Sequence, residues 1–267
     1  MKQLTLREIQ QTEFKLLCEA LRLFKEYKIH YILCGGTLLG AIRHNGFIPW
    51  DDDIDIFVPR KDYERLKKLI KSGEFAIEGA DCYIPGQPDA IYPFIKIYDK
   101  NTIIDDHYTS QHFLLHLWVD VFPLDHYPDG KLAHKICLCW NLFFRAAHSM
   151  EITRKGIDRS PWIRRFFKAI YRICGGYNNI NKIIDFSAKC MNAMFLHSNH
   201  YGNGAWPNGM KDYYTLDMMK PVTHHLFEGK QMVIPANYDK NLTNFYGDYM
   251  KLPPEEERYG HSIEAWR

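Results

Sequence analysis

Four aspartates fall within five positions, Asp51, Asp52, Asp53 and Asp55, and two of them are spaced to share a task. In Asp53-Ile54-Asp55-Ile56-Phe57-Val58 polar and apolar residues alternate at the start, which is the period of a strand. Asp53 and Asp55 would project from one face while Ile54 and Ile56 enter a core. Two carboxylates one strand repeat apart repel each other and lose hydration unless a cation neutralises them. A hard divalent ion, Mg2+ or Mn2+, suits oxygen ligands of this kind. Just upstream, Tyr31 to Cys34 predicts a short buried strand. Gly35, Gly36 and Thr37 follow and lead into a helix of one or two turns that Asn45-Gly46 ends. Backbone N–H groups at a helix N-terminus bind phosphate. A carboxylate pair beside such a cradle makes a metal-bound phosphate ester the expected ligand. A solvated acidic turn is the plainer alternative, and it leaves the apolar strand, the Gly-Gly turn and the alternating isoleucines unexplained.

Two further strands carry isolated charges. Leu117 to Phe122 places Asp120 between Val119 and Val121, on one face with Trp118 and Phe122. A charge there is costly unless it is paired or metal-bound. Asp125, past an expected turn at Pro123, is the competitor and is expected to stabilise a loop. Pro93 to Asp99 alternates as a strand with Phe94, Lys96 and Tyr98 on one face. Lys96 either reaches solvent or neutralises a phosphate oxygen.

The run GGTLLGAIRHNGFIPWDDDID, residues 35–55, closely resembles the signature of the LicD family, relatives of the fukutins within the nucleotidyltransferase superfamily. VDVFPLD at 119–125 and FEGKQMVIPANYDKNLTNFYGDYM at 227–250 also resemble this family, whereas residues 128–200 resemble it weakly. The resemblance implies an α/β (α+β) fold, a nucleotidyltransferase-like mixed β-sheet flanked by helices with an α-helical insertion. It implies transfer of phosphocholine, or a similar phospho-alcohol, from CDP-choline to a glycan hydroxyl, with release of CMP. Teichoic-acid precursors and lipopolysaccharide are both compatible acceptors. Asp120 becomes the third carboxylate of the metal site, beside Asp53 and Asp55, and orients or deprotonates the acceptor hydroxyl. Gly35, Gly36, Thr37, Lys96 and Arg43 become the phosphate- and nucleotide-binding set. A quaternary ammonium needs an aromatic cage, for which Trp50 and Trp118 are the candidates, with Phe47, Tyr92 and Phe122 nearby. Transfer of a nucleotide to a sugar or small molecule would use the same carboxylates. A non-catalytic nucleotide-binding scaffold is the non-enzyme alternative.

The elements that must position these groups can be read around them. Residues 1–128 and 200–267 are expected to form the catalytic core, and 129–199 a helical insertion that meets the acceptor or a membrane surface. A capping box, Thr5 with Glu8, opens an amphipathic helix over 6–28 with a structural role, ended by His30. A helix from Pro59 to Ile70 would turn Arg60, Lys61, Arg65, Lys67 and Lys68 to solvent. Short strands are expected at 75–78 and 102–104, and helices at 131–150, 162–172 and 179–196. Residues 201–217 read as a loop, 223–234 as a hairpin and 237–245 as a helix. Arg258 and His261, in the closing segment, would reach either a phosphate or the surface.

With 267 residues, 46% hydrophobic and 25% charged, the chain can bury a full core. A net charge of +2 gives no reason to expect nucleic acid as a partner. The seven cysteines are odd in number and include no CxxC pair, so free thiols in a reducing, cytoplasmic compartment are expected. The N-terminus is too polar for a signal peptide, and no apolar run reaches the roughly 18 residues of a spanning helix. Between 151 and 175, a basic helix rich in aromatic residues suggests peripheral contact with the inner face of the plasma membrane.

Overall fold

The computed structural model describes residues 1–106, 109, 113–152, 161–258, 260 and 263–267. Helix α1 (Leu6–Glu26) starts at the Thr5–Glu8 capping box, which is formed in both directions. Strand β1 (Ile32–Leu33) leads directly into α2 (Gly35–His44), and Asn45 closes that helix in the left-handed conformation. β2 (Asp55–Pro59) and α3 (Arg60–Ser72) follow, then β3 (Ala80–Tyr83), β4 (Ile95–Asp99), β5 (Ile103–Asp105) and the long β6 (Trp118–Tyr127). Three helices come next, α4 (Lys131–Ile152), α5 (Pro161–Ile173) and α6 (Tyr177–Met194). The chain returns through β7 (His200–Asn203), β8 (Tyr214–Thr215) and α7 (Leu216–Met219). The hairpin β9 (Val222–Phe227) and β10 (Lys230–Pro235), α8 (Tyr238–Tyr246) and β11 (Glu264–Trp266) complete it.

The main sheet is mixed and runs β1-β2-β6-β4-β3, with β7 on β6 and β8 on β7. β2 and β6 are parallel, and the other pairs are antiparallel. β6 organises the sheet: residues 118–121 pair with β4, 124–127 with β7 and 120–124 with β2. The expected turn at Pro123 does not form, because β6 runs straight through it. One sheet face carries Ile54, Ile56, Val58, Ile95, Ile97, Val119 and Val121 into the main core beneath α1. The other face carries Phe57, Phe94, Phe122 and Leu124 into a second core with Tyr201 and Tyr214. The alternation read from Asp53 to Val58 is therefore real, and Ile54 and Ile56 are wholly buried.

Three expectations are corrected. Residues 75–78 form no strand: Phe75 packs its ring 5.9 Å from that of Phe24 without a ladder partner. Residues 201–217 are not a simple loop, since they contain β7 and β8. Gly202 makes that pairing possible, because a Cβ there would lie 2.9 Å from Asp212 O and from the Tyr127 ring. Arg60 does not face solvent. It is buried and grips Asp125 through Nε–Oδ1 at 2.6 Å and Nη2–Oδ2 at 2.7 Å. Asp125 thus sits within β6, paired to α3. Arg60 Nη1 also meets Asp185 at 3.2 Å and Lys67 Nζ meets Asp185 at 2.5 Å, which ties α6 to α3. The three-helix segment docks on the sheet through this network and through His126 N, which donates to Asn192 Oδ1 at 2.9 Å. No described helix is long and apolar enough to cross a membrane. All seven cysteines are free; Cys34 and Cys82 are buried and Cys139 is exposed.

Removing one partner of a buried bidentate pair leaves the other charge unpaired, at a cost of about 3–5 kcal/mol. Arg60→Met is expected to lower stability by that amount in urea unfolding. The double change Arg60→Met with Asp125→Leu should recover most of the loss.

Candidate active site

The three strands at the centre of the sheet bring the candidate residues into register. Asp55 is paired with Asp120 across β2–β6, and Asp120 with Lys96 across β6–β4. Residues in register share a face, here the face of Phe57, Phe94 and Phe122. Asp120 N donates to Ile54 O at 2.8 Å, so the ladder continues up to the acidic loop. Asp51, Asp53 and Asp55 are half-buried and Asp52 is buried, the alternation extending upstream of β2.

Asp120 is buried, and its Oδ1 lies 2.7 Å from Lys96 Nζ. Burial pushes the Asp120 carboxyl above the ordinary range, Lys96 pulls it back, and Asp53 adds to the rise. The Lys96 ammonium has a second set of partners. It lies 3.8 Å from the Trp118 ring centroid, 4.5 Å from that of Tyr92 and 5.3 Å from that of Phe94. A carboxylate and three aromatic faces thus hold a lysine that the strand register places inside the sheet.

The glycines serve close approach. Gly35 has φ +55°, and a Cβ on it would lie 3.1 Å from Asp55 Oδ2. A Cβ on Gly36 would lie 2.7 Å from Asp51 Oδ2. Two carboxylates therefore rest against the first turn of α2, where any side chain would intrude. Thr37 Oγ1 accepts the N–H of Asp55 at 2.8 Å and locks the helix start to the strand start. A cleft of about 580 Å³ opens beside this turn. Gly35, Gly36, Arg43, Trp50, Asp53 and Asp55 line it. Asp120, Lys96, Thr37 and Trp118 do not: Asp120 stands one strand over from Asp55, and the Trp118 face carries Lys96. Arg43 Nη1 donates to Tyr249 O at 2.9 Å, and Arg258 lies 5.5 Å from the Trp50 ring centroid. His261 lies outside the described residues.

Sequence reasoning missed the other wall of the cleft, Phe245, Tyr246, Asp248, Tyr249 and Lys251. The stretch 227–250 carries the family resemblance and reads as a hairpin and a helix, with no side chain in it marked as facing a site. It also missed Glu13, on a helix read as purely structural. Glu13 is fully buried, and neither carboxylate oxygen has a hydrogen-bond partner among the described residues. Burial first, then Asp53, Asp52, Asp120 and Asp51, pushes it far above the usual range. Burial and the field of Asp55 similarly raise Cys34 and Tyr246, with Asp53 contributing to both. Glu13 on α1, Cys34 at the cap of α2 and Tyr246 on α8, raised first by burial, also lie in the negative potential of these carboxylates.

That potential and the all-oxygen donor set suit a hard divalent cation. Among the described residues, however, no three histidine, cysteine, aspartate or glutamate side chains stand close enough to hold one as they are. The fit is one of charge and ligand type: Asp53 and Asp55 line the cleft, and Asp120 stands in register beside Asp55.

Lys96→Met should leave Asp120 buried without its cation and raise its carboxyl further. A carboxylate that must be ionised loses activity as pH falls through its pKa, so the acidic limb of the pH–rate profile should move to higher pH. Lys96→Arg should keep the limb near its wild-type position. An unchanged limb in Lys96→Met would show that Lys96 does not control Asp120.

Residues 28–151 match the family described as LicD/FKTN/FKRP, nucleotidyltransferase domain. The chain is 31% identical over 279 aligned positions to the lipopolysaccharide cholinephosphotransferase LicD of Haemophilus influenzae, covering 99% of this chain and 98% of that one. An uncharacterized protein of Rickettsia prowazekii is 29% identical over 128 residues, 45% of this chain and 47% of its own. One from Rickettsia typhi is 28% identical over 125 residues, 45% of this chain and 40% of its own. With a relative above 30% identity aligned along almost the whole length of both chains, and with the signature residues gathered at one helix–strand junction, this chain belongs to the LicD family.

Proposed function

We propose that this transferase moves phosphocholine from CDP-choline to a hydroxyl of a cell-surface glycan, lipopolysaccharide or a teichoic-acid precursor, and releases CMP. One observation carries the reading: the near full-length likeness to a lipopolysaccharide cholinephosphotransferase. The cleft supports it, with carboxylates, a glycine-lined helix start and aromatic side chains on its walls.

The acceptor oxygen forms its bond to the phosphorus next to choline, the bond from that phosphorus to the CMP oxygen breaks, and the hydroxyl proton leaves to a carboxylate. In this reading Gly35 and Gly36 offer backbone N–H groups to phosphate oxygens, and Arg43 faces the same charge from within the cleft. Asp120 orients the hydroxyl and takes its proton, and Lys96 keeps Asp120 ionised against the cost of burial. Mg2+ or Mn2+, held by Asp53, Asp55 and Asp120, would neutralise the diphosphate when bound. The protein's share is positioning and charge compensation, as in phosphoryl transfer generally. Trp50, with Tyr246 and Tyr249, is the aromatic surface that lines the cleft and could meet a trimethylammonium group; the Arg258 guanidinium lies 5.5 Å from the Trp50 ring centroid, farther than the 3.8 Å at which Lys96 engages Trp118.

Incubation with labelled CDP-choline and lipopolysaccharide should yield choline-labelled glycan and CMP in equal amounts. Incorporation from nucleoside triphosphates, with none from CDP-choline, would instead make this a nucleotidyltransferase. Trp50→Ala should weaken CDP-choline binding about tenfold more than CMP binding, since a cation–π contact is worth up to about 2 kcal/mol when desolvated. Equal losses for the two ligands in calorimetry would remove Trp50 from choline recognition.

A further inference from the structure

Helices α4 and α5 each bury one face and leave a second apolar row uncovered. Phe167, Ile170 and Tyr171 of α5 pack against a small core of Phe144, Ala147, Ile180 and Ile184. Trp162, Phe166 and Ile173, at i, i+4 and i+11, lie on another side of the same helix and are exposed. On α4, Leu132, Ile136 and Trp140 repeat the pattern at i, i+4 and i+8. All six are between 50 and 84% exposed. Single exposed apolar residues are ordinary; two rows on adjacent helices are not. The helices pack together, and the Phe143 ring lies 6.4 Å from that of Phe166.

The charge beside these rows is of one sign. Arg165, Lys168 and Arg172, at i, i+3 and i+7, flank the α5 row, and Lys131 and Lys135 flank the α4 row. Neither α5 nor the first twenty residues of α4 contain an acid. An exposed row with aromatic residues beside a basic row is the pattern of a helix lying in the headgroup region of an anionic bilayer. A second copy of the chain is a poor occupant. In a two-fold contact the same patch meets itself, which would set Arg165 and Arg172 against their own counterparts. Neither helix is long and apolar enough to span.

We propose that the α4–α5 pair docks on an anionic lipid surface, with Trp140, Trp162 and Phe166 entering the headgroup layer and Arg165 and Arg172 meeting lipid phosphates. The proposal does not depend on the phosphocholine reading, since none of the residues it uses lines the cleft.

Flotation of the full chain with vesicles of phosphatidylcholine alone, or containing phosphatidylglycerol, tests it. The chain should float with the anionic vesicles only, and raised salt should release it. Brominated lipids should quench its tryptophan fluorescence. Trp162→Ser with Phe166→Ser, and Arg165→Glu with Arg172→Glu, should each weaken binding at least about tenfold, given that each basic residue near such a surface adds about 1 kcal/mol. Circular dichroism melting should show both variants folded; the lipid, salt and quenching measurements on the unmodified chain test the proposal without them. Absence of flotation, equal binding to both vesicle types, or folded variants that bind like the unmodified chain would overturn it. So would a dimer in light scattering that Trp162→Ser with Phe166→Ser abolishes while no lipid binding is seen.

Discussion

The structure depends on setting like charges side by side across the middle of a sheet. Asp55 and Asp120 occupy neighbouring register positions, and the residues that follow each of them, Ile56 to Val58 and Val121 to Leu124, are apolar and buried. Carboxylates so placed are tolerated only with compensation. Part of it is visible: Lys96 on the next strand meets Asp120, and three aromatic faces hold its ammonium. Glu13, Cys34 and Tyr246 retain their protons more strongly, first because they are buried and then because of the remaining field. Negative charge concentrated in a cleft focuses the field toward cations, and the proposed divalent-ion site rests on that property.

The rest of the fold positions this junction. Thr37 ties the start of α2 to the start of β2, so the glycine turn and the carboxylates cannot drift apart. Gly35 and Gly36 admit the acids to the helix start, where a methyl group would intrude. The C-terminal segment, through α8 and the residues after it, supplies the opposing wall of the cleft. The buried Arg60–Asp125 pair works at a distance from the site. It fastens α3 and α6 to the far half of β6, the strand whose near half carries Asp120.

Much of this was legible before any coordinates. The capping box at Thr5, the alternation from Asp53 to Val58, the left-handed stop at Asn45 and the hairpin after Pro221 are local signals, and local physics decided them. The candidate site was legible as a set of residues, and the structure brings Gly35, Gly36, Arg43, Trp50, Asp53 and Asp55 to one cleft. What could not be read depends on distant partners. Arg60 looked like one of five surface bases because its acid lies 65 positions away. Phe75 looked like a strand because an apolar residue buried by α1 has the same composition as one buried in a ladder. β7 was hidden by Gly202, which the close approach to Tyr127 and Asp212 requires. Glu13 was hidden by its helix, since a polar position on an amphipathic helix ordinarily faces water.

We propose that Asp55 and Asp120 act together at a phosphoryl-transfer centre. CMP release from CDP-choline by Asp55→Asn and Asp120→Asn, each also assayed for unfolding temperature, measures it most directly. Both variants should stay folded and lose at least about a hundredfold in kcat/KM, since removing a group that compensates charge in the transition state costs about 3 kcal/mol or more. The double variant should be little worse than either alone. Folded variants that keep activity within a few-fold of the unmodified enzyme would contradict it.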